Sequence, residues 1–159
     1  MKLIFFAILL LFAKNSFSQP DTVHLFLGKS QQTVIDYFNK LNSLKPNENY
    51  QVKKEKTDAG DLELSVEFSG DDEDYYKCSE LTATFQQVKG TECCTSQSVF
   101  GKIEHADFYL SYIKQHFTPV SEDTWQMPSP VIKGMMIVAT YSKIMDHFGI
   151  IFDLTEPTK

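Results

Sequence analysis

One short stretch in the middle of the chain constrains the fold more than any other. From residue 62 to residue 68 the sequence reads Leu-Glu-Leu-Ser-Val-Glu-Phe, so every second residue is apolar. Successive strand residues point to opposite faces, and the pattern therefore predicts a β-strand with one buried and one hydrated face. Such a strand is typical of an antiparallel sheet that is covered on one side only.

Apolar residues at helical spacing predict two helices, one before this stretch and one after it. The first begins after Ser30, a candidate N-cap, and ends by Pro46, while the second runs from about Glu104 to Phe117. Strands are predicted at 50–56, 61–69, 81–88, 91–100, 123–127, 134–142 and 147–154. We therefore expect an α+β fold in which two helices pack on one face of an antiparallel sheet.

The order of these elements indicates an internal repeat. Each half contains a helix followed by three strands, and Tyr50 in the first half corresponds to Trp125 in the second. The pattern predicts an αβββ duplication in which the strand at 91–100 links the two halves.

This element order, together with the helix start at residues 27–34 (Leu-Gly-Lys-Ser-Gln-Gln-Thr-Val), resembles two related groups of proteins. These are the β-lactamase-inhibitor-like domains and the small outer-membrane-assembly lipoproteins that share their helix-plus-meander half-fold. The resemblance implies that architecture for this chain. The lipid-attachment cysteine of the lipoproteins is missing here, so the resemblance implies no lipid anchor. A fold shared with these groups does not assign a function.

The N-terminus has the three parts of a secretory signal peptide. Met1-Lys2 is a short positive region, residues 3–13 are apolar, and Ser16 and Ser18 are small residues before a cleavage point. The sequence predicts a signal peptide at 1–18, a single mature domain at 19–159, and export to the periplasm or the exterior. The alternative is an uncleaved anchor, but the apolar run is shorter than the roughly 20 residues that span a bilayer. We expect no membrane insertion after cleavage.

The charge of the chain excludes several classes of partner. The formal net charge is −6, and all 15 basic residues are lysines. Arginine supplies the planar fork that recognises phosphate groups and guanine edges in a bidentate manner. A chain that is acidic and lacks arginine is therefore not expected to bind nucleic acid or to transfer phosphoryl groups.

The three cysteines predict buried thiols. Cys93 and Cys94 are adjacent, so their side chains point to opposite faces of a strand. A hairpin turn at Lys89-Gly90 places Phe85 opposite Cys94 and leaves Cys78 far along the partner strand, beyond disulfide reach. A disulfide is the alternative that export permits.

No motif in the sequence predicts a catalytic, metal or cofactor site. Gly28-Lys29-Ser30 lacks the upstream glycine of a phosphate loop and is interpreted as a helix start. The spacing of the four histidines is not that of metal ligands. These histidines are His24, His105, His116 and His147. Two weaker alternatives are a calcium site in the acidic run Asp71–Asp74, otherwise interpreted as a solvated turn, and a ligand platform made of Tyr75, Tyr76 and Trp125.

The remaining candidate is the uncovered face of the sheet. The predicted binding residues are Glu63, Ser65, Glu67, Thr82, Thr84 and Gln86. Simple hydration would also explain these side chains. The sequence favours an exported, soluble, non-enzymatic binding or accessory domain for an unknown protein or small ligand. The alternatives are a small secreted hydrolase with an unseen site and a structural subunit of an envelope complex.

Overall fold

The computed structural model of the chain describes residues 23–44 and 51–157. The predicted signal peptide, Pro46 and Tyr50 lie outside these ranges. No helix in the described part is long and apolar enough to cross a membrane. The helices are α1 (Gln31–Leu44), α2 (Asp71–Tyr76) and α3 (Ala106–His116), the last preceded by a 3-10 turn at Ile103–His105. The strands are β1 (Lys53–Lys56), β2 (Leu62–Glu67), β3 (Glu80–Val88), β4 (Thr91–Lys102), β5 (Thr118–Ser121), β6 (Thr124–Pro128), β7 (Met136–Ile144) and β8 (His147–Thr155).

All eight strands belong to one antiparallel sheet. Their order across the sheet is β1-β2-β3-β4-β8-β7-β6-β5, so each run of four consecutive strands forms a meander. The two meanders meet where β4 pairs with β8, with Phe100 opposite Gly149. The hairpin between β3 and β4 has the register expected from its turn, and Phe85 lies opposite Cys94.

The predicted α+β class, with two helices on one sheet face, is wrong. In the part of the chain that the structure describes, strands account for 47% of the residues and helices for 23%, so the fold is predominantly β. One reason is β5, which is absent from the predicted strands and contains Pro119. Proline lacks an N–H group but is tolerated in an edge strand, where Pro119 lies opposite Trp125.

The predicted αβββ duplication is also wrong, since each meander contains four strands. The segment at 91–100 is not a linker between two repeats. It is the larger part of β4, the last strand of the first meander, and it pairs with both β3 and β8.

The prediction for the acidic segment after β2 is also wrong. Asp71–Tyr76 forms the short helix α2, where a solvated turn was expected. Glu73 in this helix is buried and forms an ion pair with Lys102 at 3.1 Å. Tyr76 is also buried, and its ring stacks on Phe68 with centroids 4.5 Å apart. The helix forms because one carboxylate and one aromatic ring turn inward, which the run of acids in the sequence conceals.

The covered face of the sheet carries the core. Phe85, Phe148 and Phe152 are fully buried there, as are Leu64 and Ile150. The cover consists of short helices together with an extended segment, residues 23–29, which we call the N-terminal strap. Leu27 of the strap, Phe38 of α1 and Ile113 of α3 are buried against the same core.

The strap is joined to β4 by hydrogen bonds. The Gly28 N–H donates to the carbonyl of Cys94, and the Cys94 N–H donates to the carbonyl of Lys29, both at 2.8 Å. Gly28 has φ +77, and a Cβ at this position would lie 3.0 Å from the Val131 side chain. The strap therefore requires glycine here for both its conformation and its close approach to a neighbouring loop.

Candidate functional site

The structure brings the predicted binding residues together on the uncovered face of the sheet, which we call the open face. Glu63 lies directly opposite Thr84, and Ser65 lies opposite Thr82, on the paired strands β2 and β3. The full predicted set is Glu63, Ser65, Glu67, Thr82, Thr84 and Gln86. Their common placement follows from the period of two along each strand. Their role in binding stays a prediction.

Gln86 differs from the other five because both ends of its side-chain amide are engaged within the protein. The register between β3 and β4 shifts between Thr84 and Phe85. Beyond this irregularity, the Gln86 amide donates to Asp61 at 2.6 Å and accepts a hydrogen bond from Thr95 at 3.3 Å. These contacts leave Gln86 with less hydrogen-bonding capacity for a ligand than the threonines have.

Two rows of mostly polar side chains, each interrupted by one apolar residue (Ile151 or Val138), cross the open face from strand to strand. The first, the hydroxyl row, is Ser65, Thr82, Ser98, Ile151, Thr140 and Thr124 in order across six strands. The second, the carboxylate row, is Glu63, Thr84, Ser96, Asp153, Val138 and Gln126. Hydroxyl groups can both donate and accept hydrogen bonds, so the rows offer both functions on rigid backbone.

The carboxylates on this face have different surroundings. Glu67 forms an ion pair with Lys53, and Glu80 accepts a hydrogen bond from Thr82 at 3.3 Å. Glu63 and Asp153 have no ion pair or side-chain hydrogen bond with any residue in the described ranges. They lie three strands apart in the carboxylate row, about 14 Å at the usual strand spacing. Glu55, directly opposite Glu63 on β1, also has no ion pair with any residue in the described ranges, so the open face presents at least three carboxylates without a cationic partner there.

An apolar area lies at one end of the open face. Phe100 and His147 stack with ring centroids 5.0 Å apart and an interplanar angle of 4°. Ile151 is adjacent to this pair, and Ile144 and Met145 project at the β7–β8 turn, where Met145 is 90% exposed. We call these five residues the apolar corner.

The buried thiols are unsuited to nucleophilic chemistry. All three cysteines are free and buried. Burial raises the pKa of Cys78 to about 12 and that of Cys94 to about 12, because desolvation disfavours the thiolate. The thiolate is the reactive form, so these groups remain protonated and inert near neutral pH.

The histidines and acids do not converge on a metal site in the described residues. No group of three or more His, Cys, Asp or Glu side chains there could hold an ion. His116 packs against Tyr112, and His147 belongs to the apolar corner. Asp71–Tyr76 is helical, so the alternative of a calcium loop in that segment has no loop to build on.

The structure also tests two further predictions, the aromatic ligand platform and the helix start. Tyr76 and Trp125 are buried, so with Tyr75 they do not form an exposed ligand platform. Ser30 precedes α1, and its hydroxyl accepts a hydrogen bond from the Thr33 N–H at 3.3 Å, as a helix N-cap does. The helix-start interpretation of Gly28-Lys29-Ser30 is confirmed.

Sequence reasoning missed the half of the open face that lies beyond β3. Ser96 and Ser98 repeat the spacing of Thr82 and Thr84, and this was the available signal. Gln97 between them is polar, so β4 does not alternate in polarity and its outward face could not be recognised. Asp153 was missed because its contribution depends on the pairing of β4 with β8.

The chain matches no family model, no curated protein and no solved structure. The resemblance to β-lactamase-inhibitor-like domains and outer-membrane-assembly lipoproteins therefore stays a sequence-based prediction.

Proposed function

We propose that the chain is an exported, non-enzymatic binding or accessory domain that holds a lysine-rich segment of a partner protein on its open face. The observation that carries this proposal is the pair of carboxylates Glu63 and Asp153, which have no cationic partner among the described residues. A positive group placed beside each would compensate both charges.

The spacing of the two carboxylates defines the geometry of the partner. An extended peptide rises about 3.3 Å per residue, so residues i and i+4 lie on one side about 13 Å apart. This matches the separation of about 14 Å expected for three strand spacings. A segment with lysines four residues apart, lying across the strands, would reach both carboxylates and pass over Thr84 and Ser96.

The open face already contains one contact of this type. Lys53 reaches across from β1 to form an ion pair with Glu67. Both side chains are at least half exposed, which shows that a lysine can lie flat on this surface while it remains in contact with water. The neutral, buried thiols support a binding role rather than nucleophilic catalysis.

A peptide with lysines at i and i+4 and serines elsewhere is the appropriate probe. We expect it to bind at low salt and to weaken as ionic strength rises, since exposed charges are screened. In the double variant Glu63→Gln/Asp153→Asn, affinity should fall about 2- to 30-fold, because each exposed ion pair contributes about 0.2–1 kcal/mol. Isothermal titration calorimetry measures both effects.

The matched control is Asp36→Asn/Asp107→Asn, which changes net charge equally on the exposed surfaces of α1 and α3. This control should bind the peptide as the wild type does. Equal weakening in both double variants would mean that only overall charge matters, and the proposed site on the open face would be wrong.

The apolar corner supports a second candidate, a structural subunit of an envelope complex. A contiguous apolar area on a sheet that is otherwise polar is typical of a protein contact. A photo-crosslinker at position 145 that gives one discrete adduct in the cell envelope, with none from exposed position 133, would favour this candidate.

A further inference from the structure

A crevice lies on the covered side of the sheet, away from the open face. Its walls include Val23 and His24 of the strap, Tyr37 of α1, Tyr76 of α2, Leu81 and Val99 of the sheet, and Phe108 of α3. It has a volume of about 30 Å³. A single water needs about 10–15 Å³, so two or three atoms of that size fit. His24 is the most exposed residue of this lining and marks its mouth, although its ring is partly covered by Tyr37, with ring centroids 4.8 Å apart.

The polar groups around the crevice are mostly committed to the protein. The Tyr109 hydroxyl donates to the carbonyl of Tyr76 at 2.9 Å. The amide of Gln97 is bound to the strap, through Phe26 and the carbonyl of His24. The rest of the lining is mainly hydrocarbon from Val, Leu and Phe side chains, with the His24, Tyr37 and Tyr76 rings and the buried Cys78 thiol. A water there would find few of the two to four polar partners that it normally has.

The crevice is also uncharged. Among the described residues, no acid and no lysine lines it. Burial lowers the pKa of His24, so the imidazole is neutral at pH 7. Burial raises the pKa of Tyr37 and Tyr109, so both remain protonated. A charged ligand would lose its hydration without gaining an ion pair.

We infer that the crevice is a second binding site, independent of the open face, and that it takes the end of an uncharged aliphatic chain. Its size suits a terminal segment of about three carbons. The rest of such a ligand would leave through the mouth beside His24. A hydroxyl group on the ligand could bond to Tyr37, whose hydroxyl has no hydrogen-bond partner in the described residues.

The probes are 1-alkanols from ethanol to octanol, titrated into the full-length protein while the methyl resonances of Val23, Leu81 and Val99 are followed by NMR. Affinity should rise about fourfold for each methylene that becomes buried, and then level off once the crevice is full. Hexanoate should bind at least tenfold more weakly than hexanol, because its carboxylate has no partner at the mouth.

Two variants change the crevice in opposite directions. Val99→Ile adds a methylene to its floor and should weaken hexanol binding about fourfold, while Val99→Ala removes two methyl groups and should strengthen it. The matched control, Val138→Ile on the open face, should bind hexanol as the wild type does. Circular dichroism verifies that each variant is folded.

The inference is wrong if affinity does not depend on chain length, or if Val99→Ile and Val138→Ile weaken binding equally. Shifts confined to the methyl group of Ile151 and other residues of the apolar corner would also overturn it, because the alkanol would then bind the open face. The lysine peptide does not contact the crevice, so either result is independent of the proposed function.

Discussion

The backbone N–H of Phe26 donates a hydrogen bond to the side-chain oxygen of Gln97 at 2.8 Å. Gln97 is 1% exposed and projects from the middle of β4 into the covered face. Its amide nitrogen donates in turn to the carbonyl of His24 at 2.9 Å. One glutamine side chain thus serves two backbone groups of the strap, as a neighbouring strand would.

Gln97→Leu should destabilise the protein by about 2–6 kcal/mol, because the N–H of Phe26 and the carbonyl of His24 lose their partner and each unpaired group costs about 1–3 kcal/mol. Urea unfolding measures the loss. Gln87→Leu, at an exposed position on β3, is the control and should change stability by no more than about 0.5 kcal/mol. Hydrogen exchange at the Phe26 amide should accelerate only in Gln97→Leu, and unchanged protection would contradict this account.

Stability should fall with rising pH above pH 9, because of the buried thiols. Cys78 and Cys94 have a pKa of about 12 in the folded protein against an ordinary value of 9.0. Above pH 9 the unfolded chain releases these protons while the folded chain retains them, so the free energy of unfolding falls between pH 9 and pH 12. The slope approaches about 1.4 kcal/mol per pH unit for each thiol.

Urea unfolding under reducing conditions from pH 8 to pH 10 tests this dependence, and near pH 10 Tyr37 and Tyr109, whose pKa burial also raises, add to the slope. Below pH 9 the contribution is fully present and the curve should be flat. The double variant Cys78→Ala/Cys94→Ala should have a smaller slope than the wild type. The same slope in both proteins would assign the pH dependence to other groups.

Met145→Gly should stabilise the protein by about 0.5–1 kcal/mol. Met145 has φ +55 at the β7–β8 turn, and this left-handed conformation costs a side-chain-bearing residue about 1–2 kcal/mol. Glycine avoids that cost but loses more backbone entropy on folding. The thermal midpoint measures the gain. Lys133→Gly, in an exposed loop with ordinary φ, is the control and should lower the thermal midpoint slightly. A lower midpoint in Met145→Gly than in the wild type would show that the left-handed conformation of Met145 is not strained.

The contact between Glu73 and Lys102 should give a coupling energy of about 0.5–3 kcal/mol in a double-mutant cycle. The carboxylate is 11% exposed, so the loss of Lys102 leaves a negative charge with little hydration. The cycle uses Glu73→Gln and Lys102→Met and is followed by urea unfolding. Lys114→Met, on the exposed surface of α3, should show no coupling to Glu73→Gln. A coupling energy of zero between Glu73→Gln and Lys102→Met would mean that this ion pair does not stabilise the protein.

The sequence predicts strands best where the two faces differ in polarity. β2 alternates strictly, and the β3–β4 hairpin has a turn whose register can be counted, so Phe85 was correctly placed opposite Cys94. The four residues of β5 are all exposed and one of them is a proline, so β5 carries no such pattern. α2 was hidden because the burial of Glu73 depends on Lys102, which is distant in the sequence.

The candidate site was only partly predictable for the same reason. Glu63 and Thr84 belong to strands that are close in sequence, and their alignment follows from local alternation. Asp153 joins them only through the pairing of β4 with β8, and no local pattern contains that information. Gln97 also conceals the polarity of β4, since its polar side chain points into the core.

The meeting of the two meanders at β4 and β8 has a consequence for how the molecule forms. During synthesis from the N-terminus, β1 to β4 can pair in order through local turns. Until β8, the last strand of the described residues, has formed, the outer edge of β4 is paired only with the strap, at Cys94. Unpaired edges recruit strands from other chains. Non-local pairing is also slow, because the intervening loop must close first. Until β8 pairs with it, the remaining edge of β4, which becomes the centre of the sheet, is therefore exposed, and the new chain is then most prone to aggregation.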